Sequence, residues 1–134
     1  MNDIQISDNF NLSEFQSKGN GAVKVHSKLV ELLQAIRDRL GQPIVINSAY
    51  RDPEHNREVG GTEGSQHTKG TAADISLRNL DYNADDIAEI AAFEADKLGI
   101  GRENLGIGLY YTFVHIDVRG LIGYKSPAHW DNRN

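Results

Sequence analysis

The strongest periodicity in the chain runs from Leu29 to Leu40. Leu29, Leu32, Leu33, Ile36 and Leu40 recur at helical spacing, Ser27 stands where a cap belongs, and Gly41 followed by Pro43 closes the segment. A second helix is predicted from about Ala84 to Leu98. Asn83 caps it, Asp85 and Asp86 suit its positive end, Ile87, Ile90, Ala91 and Leu98 form its apolar stripe, and Gly99 ends it. Two shorter helices are expected. Asn11-Leu-Ser-Glu-Phe15 starts on a cap and puts Leu12 and Phe15 on one face, while Asp52-Pro53 opens a helix that stops at Gly60-Gly61.

Between these segments the pattern changes to period two. Ile44-Val-Ile-Asn-Ser48 is dense in β-branched residues after a Gly/Pro break and reads as a buried strand. From Thr71 to Leu77, Ala73, Ile75 and Leu77 alternate with Ala72, Asp74 and Ser76. Gly106–Tyr111 and Phe113–Val118 are so close together that they predict an antiparallel hairpin. Helices and strands without strict alternation give an α+β class, a small antiparallel sheet flanked by helices.

The 134 residues suit one domain, 1–134, and we expect a monomer. At 39% hydrophobic and 25% charged residues the chain is too apolar for disorder. A net charge of −5, with no run of Lys or Arg, excludes the counterion-releasing patch that nucleic acid needs. With no cysteine, a metal must be held by His and carboxylates. The polar start Met1-Asn-Asp-Ile has neither the basic nor the apolar part of a secretory signal, and no stretch is long enough to span a bilayer. Synthesis in the cytoplasm without a signal peptide is therefore expected.

Two stretches carry the candidate chemistry. In Ser65-Gln-His67-Thr-Lys-Gly70-Thr-Ala-Ala-Asp74, seven extended residues would span roughly 23 Å, so His67 and Asp74 reach one ion only if the chain folds back, for which Gly70 offers the permissive backbone. In Phe113-Val-His115-Ile-Asp117-Val-Arg119, period two puts His115, Asp117 and Arg119 on one face and Val114, Ile116 and Val118 on the other. If that strand lies near the turn, His67, Asp74 and His115 make three nitrogen and oxygen ligands with a fourth position left for water. Taken singly, a His on a polar strand face is usually solvated and an Asp after a turn usually a cap. Arg51 and His55 by themselves read as a surface pair.

Several separated blocks together point further. Ser48-Ala-Tyr-Arg51-Asp-Pro-Glu-His-Asn56, Ser65 to Ile75, Gly106-Ile-Gly-Leu-Tyr110 and Phe113-Val-His-Ile-Asp117 resemble the zinc D-alanyl-D-alanine carboxypeptidase and endopeptidase family, which shares its fold with hedgehog signalling domains. The resemblance covers the chain from about Asn9 to Arg119, and the His67 to Asp74 block is its most specific part. It implies zinc on His67, Asp74 and His115, hydrolysis of amide bonds in the peptide moiety of bacterial peptidoglycan, and Arg51 in the substrate cleft, holding a substrate carboxylate or the developing oxyanion. Ser48 and Gln66 are further candidates for substrate hydrogen bonds. Many relatives carry Glu or Asp three residues before the second His ligand as general base; here that residue is Thr112, so Asp117 is the candidate for base or for partner of the site, with a plain salt bridge to Arg119 as the alternative. Ser126-Pro-Ala-His129-Trp130 is read as covering the sheet end, with His129 exposed.

Action at the cell wall without a signal peptide suits a phage or prophage lysis enzyme. Two other readings stay open at this point. One is a non-catalytic module that keeps zinc and binds the wall, for which Thr112 speaks. The other is a non-haem iron oxygenase, whose facial triad His115-Ile-Asp117 plus another His would satisfy, although such enzymes need a many-stranded barrel.

Overall fold

The computed structural model describes residues 3–133. A two-stranded hairpin, β1 (Gln5–Ser7) with β2 (Phe10–Asn11), leads into a 3-10 turn at Leu12–Phe15, where Glu14 and Asn11 cap one another reciprocally. Helix α1 (Ser27–Leu40) follows, then β3 (Ile46–Ser48) and the short α2 (Pro53–Glu58); β3 is shorter than expected and not a buried strand, since it lies at the sheet edge and Val45 before it is exposed. A second 3-10 turn, Gln66–Lys69, precedes β4 (Ala72–Ser76), α3 (Ala84–Lys97), the hairpin β5 (Gly106–Leu109) and β6 (Phe113–Asp117), and β7 (Ala128–Asp131).

The helix boundaries follow local chemistry. His26, rather than Ser27, caps α1, because its imidazole Nδ1 accepts from the Lys28 N–H. Gly41 ends α1 in the left-handed conformation, at φ 67°. Asn83 caps α3 as expected, but Leu98 is the residue after the last turn and is exposed rather than part of the buried stripe.

Five strands form one open sheet in the order β3-β4-β6-β5-β7. The first four pair antiparallel, as expected, and β7 adds a parallel edge strand beside β5. This open sheet is not a many-stranded barrel.

Period two gives the sheet two unlike faces. Ala73, Ile75, Ile107, Val114 and Ile116 join Leu29, Leu32, Leu33 and Ile36 of α1 and Ile87, Ala91 and Ala95 of α3 in one core. Each fully buried Leu or Ile there is worth about 1.5–3 kcal/mol relative to exposure, so this face carries the stability. The opposite face carries the polar residues. Strand register places Ser48 of β3 beside Asp74 of β4, Asp74 beside His115 of β6, His115 beside Gly108 of β5, and Gly108 beside Trp130 of β7. One row of residues thus crosses the whole sheet, every strand contributing one, and Gly108 leaves a gap in it on β5.

Candidate active site and metal centre

Asp74 and His115 meet because β4 and β6 pair in that register, and His67 reaches them from the turn before β4. Ser65 caps this turn through its hydroxyl, which accepts from the His67 N–H at 3.3 Å. Gly70 closes it at φ 75°, where an added Cβ would stand 2.7 Å from the Lys24 carbonyl oxygen. The fold-back expected between His67 and Asp74 is this turn.

Oδ1 of Asp74 lies 3.2 Å from Nε2 of His67 and 3.1 Å from Nδ1 of His115. Each imidazole has its other nitrogen engaged. Nδ1 of His67 donates to the Ala49 carbonyl at 2.7 Å, and Nε2 of His115 donates to Oδ2 of Asp117 at 2.7 Å. With both N–H groups committed outward, two imidazole lone pairs and a carboxylate oxygen face one another. Three acceptors this close repel unless a cation or a shared proton stands between them. One ligand atom from each of the three residues lies within 4.8 Å of the others, all three residues are buried, and the set is of nitrogen and oxygen donors, so His67, Asp74 and His115 fit a metal ion such as zinc.

The charges agree. Burial pushes the Asp74 carboxyl up, but when the facing nitrogens of His115 and His67 carry protons in place of a cation, their hydrogen bonds and charge outweigh it and hold the group well below the usual carboxylate range. Burial likewise works against a charged His115, and Asp117 and Asp74 more than offset it, raising the imidazole above its ordinary value. The pocket is thus built to hold positive charge beside Asp74.

Arg51 closes one side of the site. Its Nη2 stands 3.8 Å from Oδ2 of Asp74, its Nε donates to Ser48 Oγ at 3.2 Å and its Nη1 to Asn56 Oδ1 at 3.2 Å. Asn56 in turn donates to the Thr62 carbonyl at 2.8 Å, which ties the loop through Gly60–Gly64 to the same guanidinium. The cleft, about 460 Å³, lies between this loop and the β5–β6 hairpin. Gln66 lines it, with Oε1 accepting from Thr71 Oγ1 at 2.7 Å, so that among the described residues only its amide N–H₂ is left to donate.

A family model described as Peptidase M15 matches residues 7–117. The chain belongs to this family. Among solved structures, the L-Ala D-Glu endopeptidase ChiX of Serratia marcescens superposes with a TM-score of 0.56 at 18% identity, covering 70% of this chain and 80% of that one. At that identity the likeness shows the fold, the hedgehog/DD-peptidase type expected from the sequence. No curated protein matches.

In this M15 peptidase Asp117 and Trp130 complete the site from the other side. Asp117 is fully buried; Arg119 donates to Oδ1 from Nε at 2.9 Å and to Oδ2 from Nη2 at 2.7 Å. Burial raises its carboxyl, but the bonds from His115 and Arg119 prevail and bring it to about 2. Thr112, by contrast, is exposed and gives its carbonyl to the Leu77 N–H.

Trp130 lines the cleft, contrary to the expectation that it covers the sheet end. Its ring lies 5.1 Å from that of His115 and 5.4 Å from the Arg119 guanidinium, and its Nε1 donates to the Tyr110 hydroxyl at 2.9 Å. His129, as expected, is exposed, since alternation turns it to the other face. The missed signal is in β5: Gly106 and Gly108 share one face, and a Cβ there would meet Asp117 and Arg119 at Gly106 and the Trp130 ring at Gly108. His55 stays outside the site, 3.9 Å from Glu58.

Proposed function

We propose that this M15 peptidase uses zinc to hydrolyse amide bonds in the peptide part of bacterial peptidoglycan. The observation that carries the reading is the convergence of three buried acceptors, His67 Nε2, Asp74 Oδ1 and His115 Nδ1, on one point at the floor of an open cleft. When bound there, zinc would polarise the scissile carbonyl and lower the pKa of a water it holds toward roughly 7.

The chain's own residues supply the rest. Ala49 and Asp117 hold the two imidazoles in the tautomers that leave their lone pairs toward Asp74. Arg51, fixed by Ser48 and Asn56, offers permanent positive charge to a substrate carboxylate or to the oxygen that becomes negative during attack. The free amide of Gln66 is a hydrogen-bond donor for the peptide backbone. Asp117 acts on His115 as its orienting partner.

Stem peptides are rich in free carboxylates, and the cleft presents Arg51 on one side and Arg119 on the other. Both guanidinium groups lie beside the candidate metal-binding residues, which suits a substrate that carries free carboxylates. The structural neighbour from Serratia marcescens is an L-Ala D-Glu endopeptidase, which supports the same substrate class.

The test is muropeptide mass spectrometry on purified sacculi. The wild-type protein should release peptide fragments, lose that activity to a chelator and regain it with zinc, and His67→Ala should release none. Protein that binds zinc and sacculi yet frees nothing at long times would instead be a wall-binding module.

A further inference from the structure

We propose that the Tyr110 hydroxyl donates a hydrogen bond to the substrate carbonyl oxygen as negative charge builds on it. This rests on the peptidase reading above and adds a residue to it.

Tyr110 lines the same cleft as His67, Asp74 and His115. Two contacts fix its ring. It stacks on Phe113 with centroids 4.2 Å apart and planes 11° from parallel, and its oxygen accepts the Trp130 Nε1–H at 2.9 Å. Trp130 is itself seated against His115, in the space that Gly108 leaves empty. The hydroxyl is therefore held relative to one of the three metal-binding side chains by a short chain of rigid groups, which is what a preorganised donor requires.

The proton of that hydroxyl is uncommitted. Its oxygen takes the indole N–H, and among the described residues no acceptor receives its own O–H. Accepting one hydrogen bond polarises a hydroxyl and makes it a better donor, so Trp130 strengthens the bond Tyr110 offers to a ligand. The competing donors are more heavily engaged: Arg119 gives Nε and Nη2 to Asp117, and Arg51 gives Nε to Ser48 and Nη1 to Asn56. Thr112 lies outside on the exposed turn. A neutral donor suits the step, because it binds the carbonyl weakly before attack and strongly once the oxygen is negative.

Tyr110→Phe keeps the stack on Phe113 and removes only the oxygen. On a synthetic stem peptide, kcat should fall about 10²-fold, as for loss of one oxyanion donor, with KM, zinc content and unfolding midpoint held. By calorimetry, a phosphinate peptide, whose tetrahedral oxyanion mimics the charged oxygen, should lose affinity by a similar factor, while the cleaved product binds as before. Wild-type kcat in Tyr110→Phe, or equal loss of phosphinate and product affinity, overturns the assignment. If the wild-type protein cuts nothing, the peptidase reading fails by itself, and the split between phosphinate and product still decides the role of Tyr110.

Discussion

Nε2 of His115 lies 2.7 Å from Oδ2 of Asp117, on the side of the ring away from Asp74. That one contact sets which lone pair His115 offers to the cleft. It also gives a role to Asp117 two residues after His115, a candidate metal ligand, on the same strand face: period two aligns their side chains, and Gly106 on the next strand leaves the space the carboxylate occupies.

Asp117→Asn should therefore weaken the metal site more than it changes the chemistry. The Asn oxygen still accepts from His115 but no longer carries the charge that pairs with Arg119. Zinc affinity, measured by competition with a chromophoric chelator, is expected to fall about 10- to 100-fold. At saturating zinc, turnover should largely recover. Unchanged zinc affinity would sink the orienting role, and abolished turnover with zinc bound would mark Asp117 as the base.

Trp130 is the only tryptophan in the chain and lies against His115, so its fluorescence reports the site. Zinc addition should change its emission in the wild-type protein and leave His115→Ala unaffected. Gly108→Ala puts a methyl group where the indole ring lies and should expel it, shifting the emission to the red. A Gly108→Ala spectrum identical to wild type would mean the ring does not occupy that space in solution.

Asp52 ties the loop after the first 3-10 turn to the start of α2. Its carboxylate accepts from the Ser17 hydroxyl at 2.6 Å, from the His55 N–H at 2.9 Å and from the Asn20 N–H at 3.0 Å, which together lower it from 3.8 to about 2. A carboxyl whose folded value is depressed stabilises the fold fully above its unfolded value. That contribution is lost as pH falls from about 3.8 through about 2. Urea midpoints of wild type and Asp52→Asn should differ at neutral pH and converge in this acid window; a constant difference down to pH 2 would refute the linkage.

Much of this site was legible in the chain because its signals are local. The spacing of His67, Gly70 and Asp74 demands a turn, and a left-handed Gly70 provides it. The alternation in Phe113–Asp117 puts His115 and Asp117 on one face whatever the strand pairs with. Helices α1 and α3 were equally plain, since their apolar stripes and caps lie within single segments.

What the chain alone did not reveal depends on contacts between distant segments. β7 is four residues, Ala-His-Trp-Asp, with too little alternation to announce a strand, and it lies in the sheet because it pairs with β5 in parallel. Only that pairing carries Trp130 over Gly108 to His115 and Tyr110. The orientation of His67 was likewise decided across the fold, by the Ala49 carbonyl 18 residues away, whereas that of His115 rests on Asp117 in its own strand, because a side chain's identity gives its donors and acceptors while its neighbours decide which of them point at the candidate metal site.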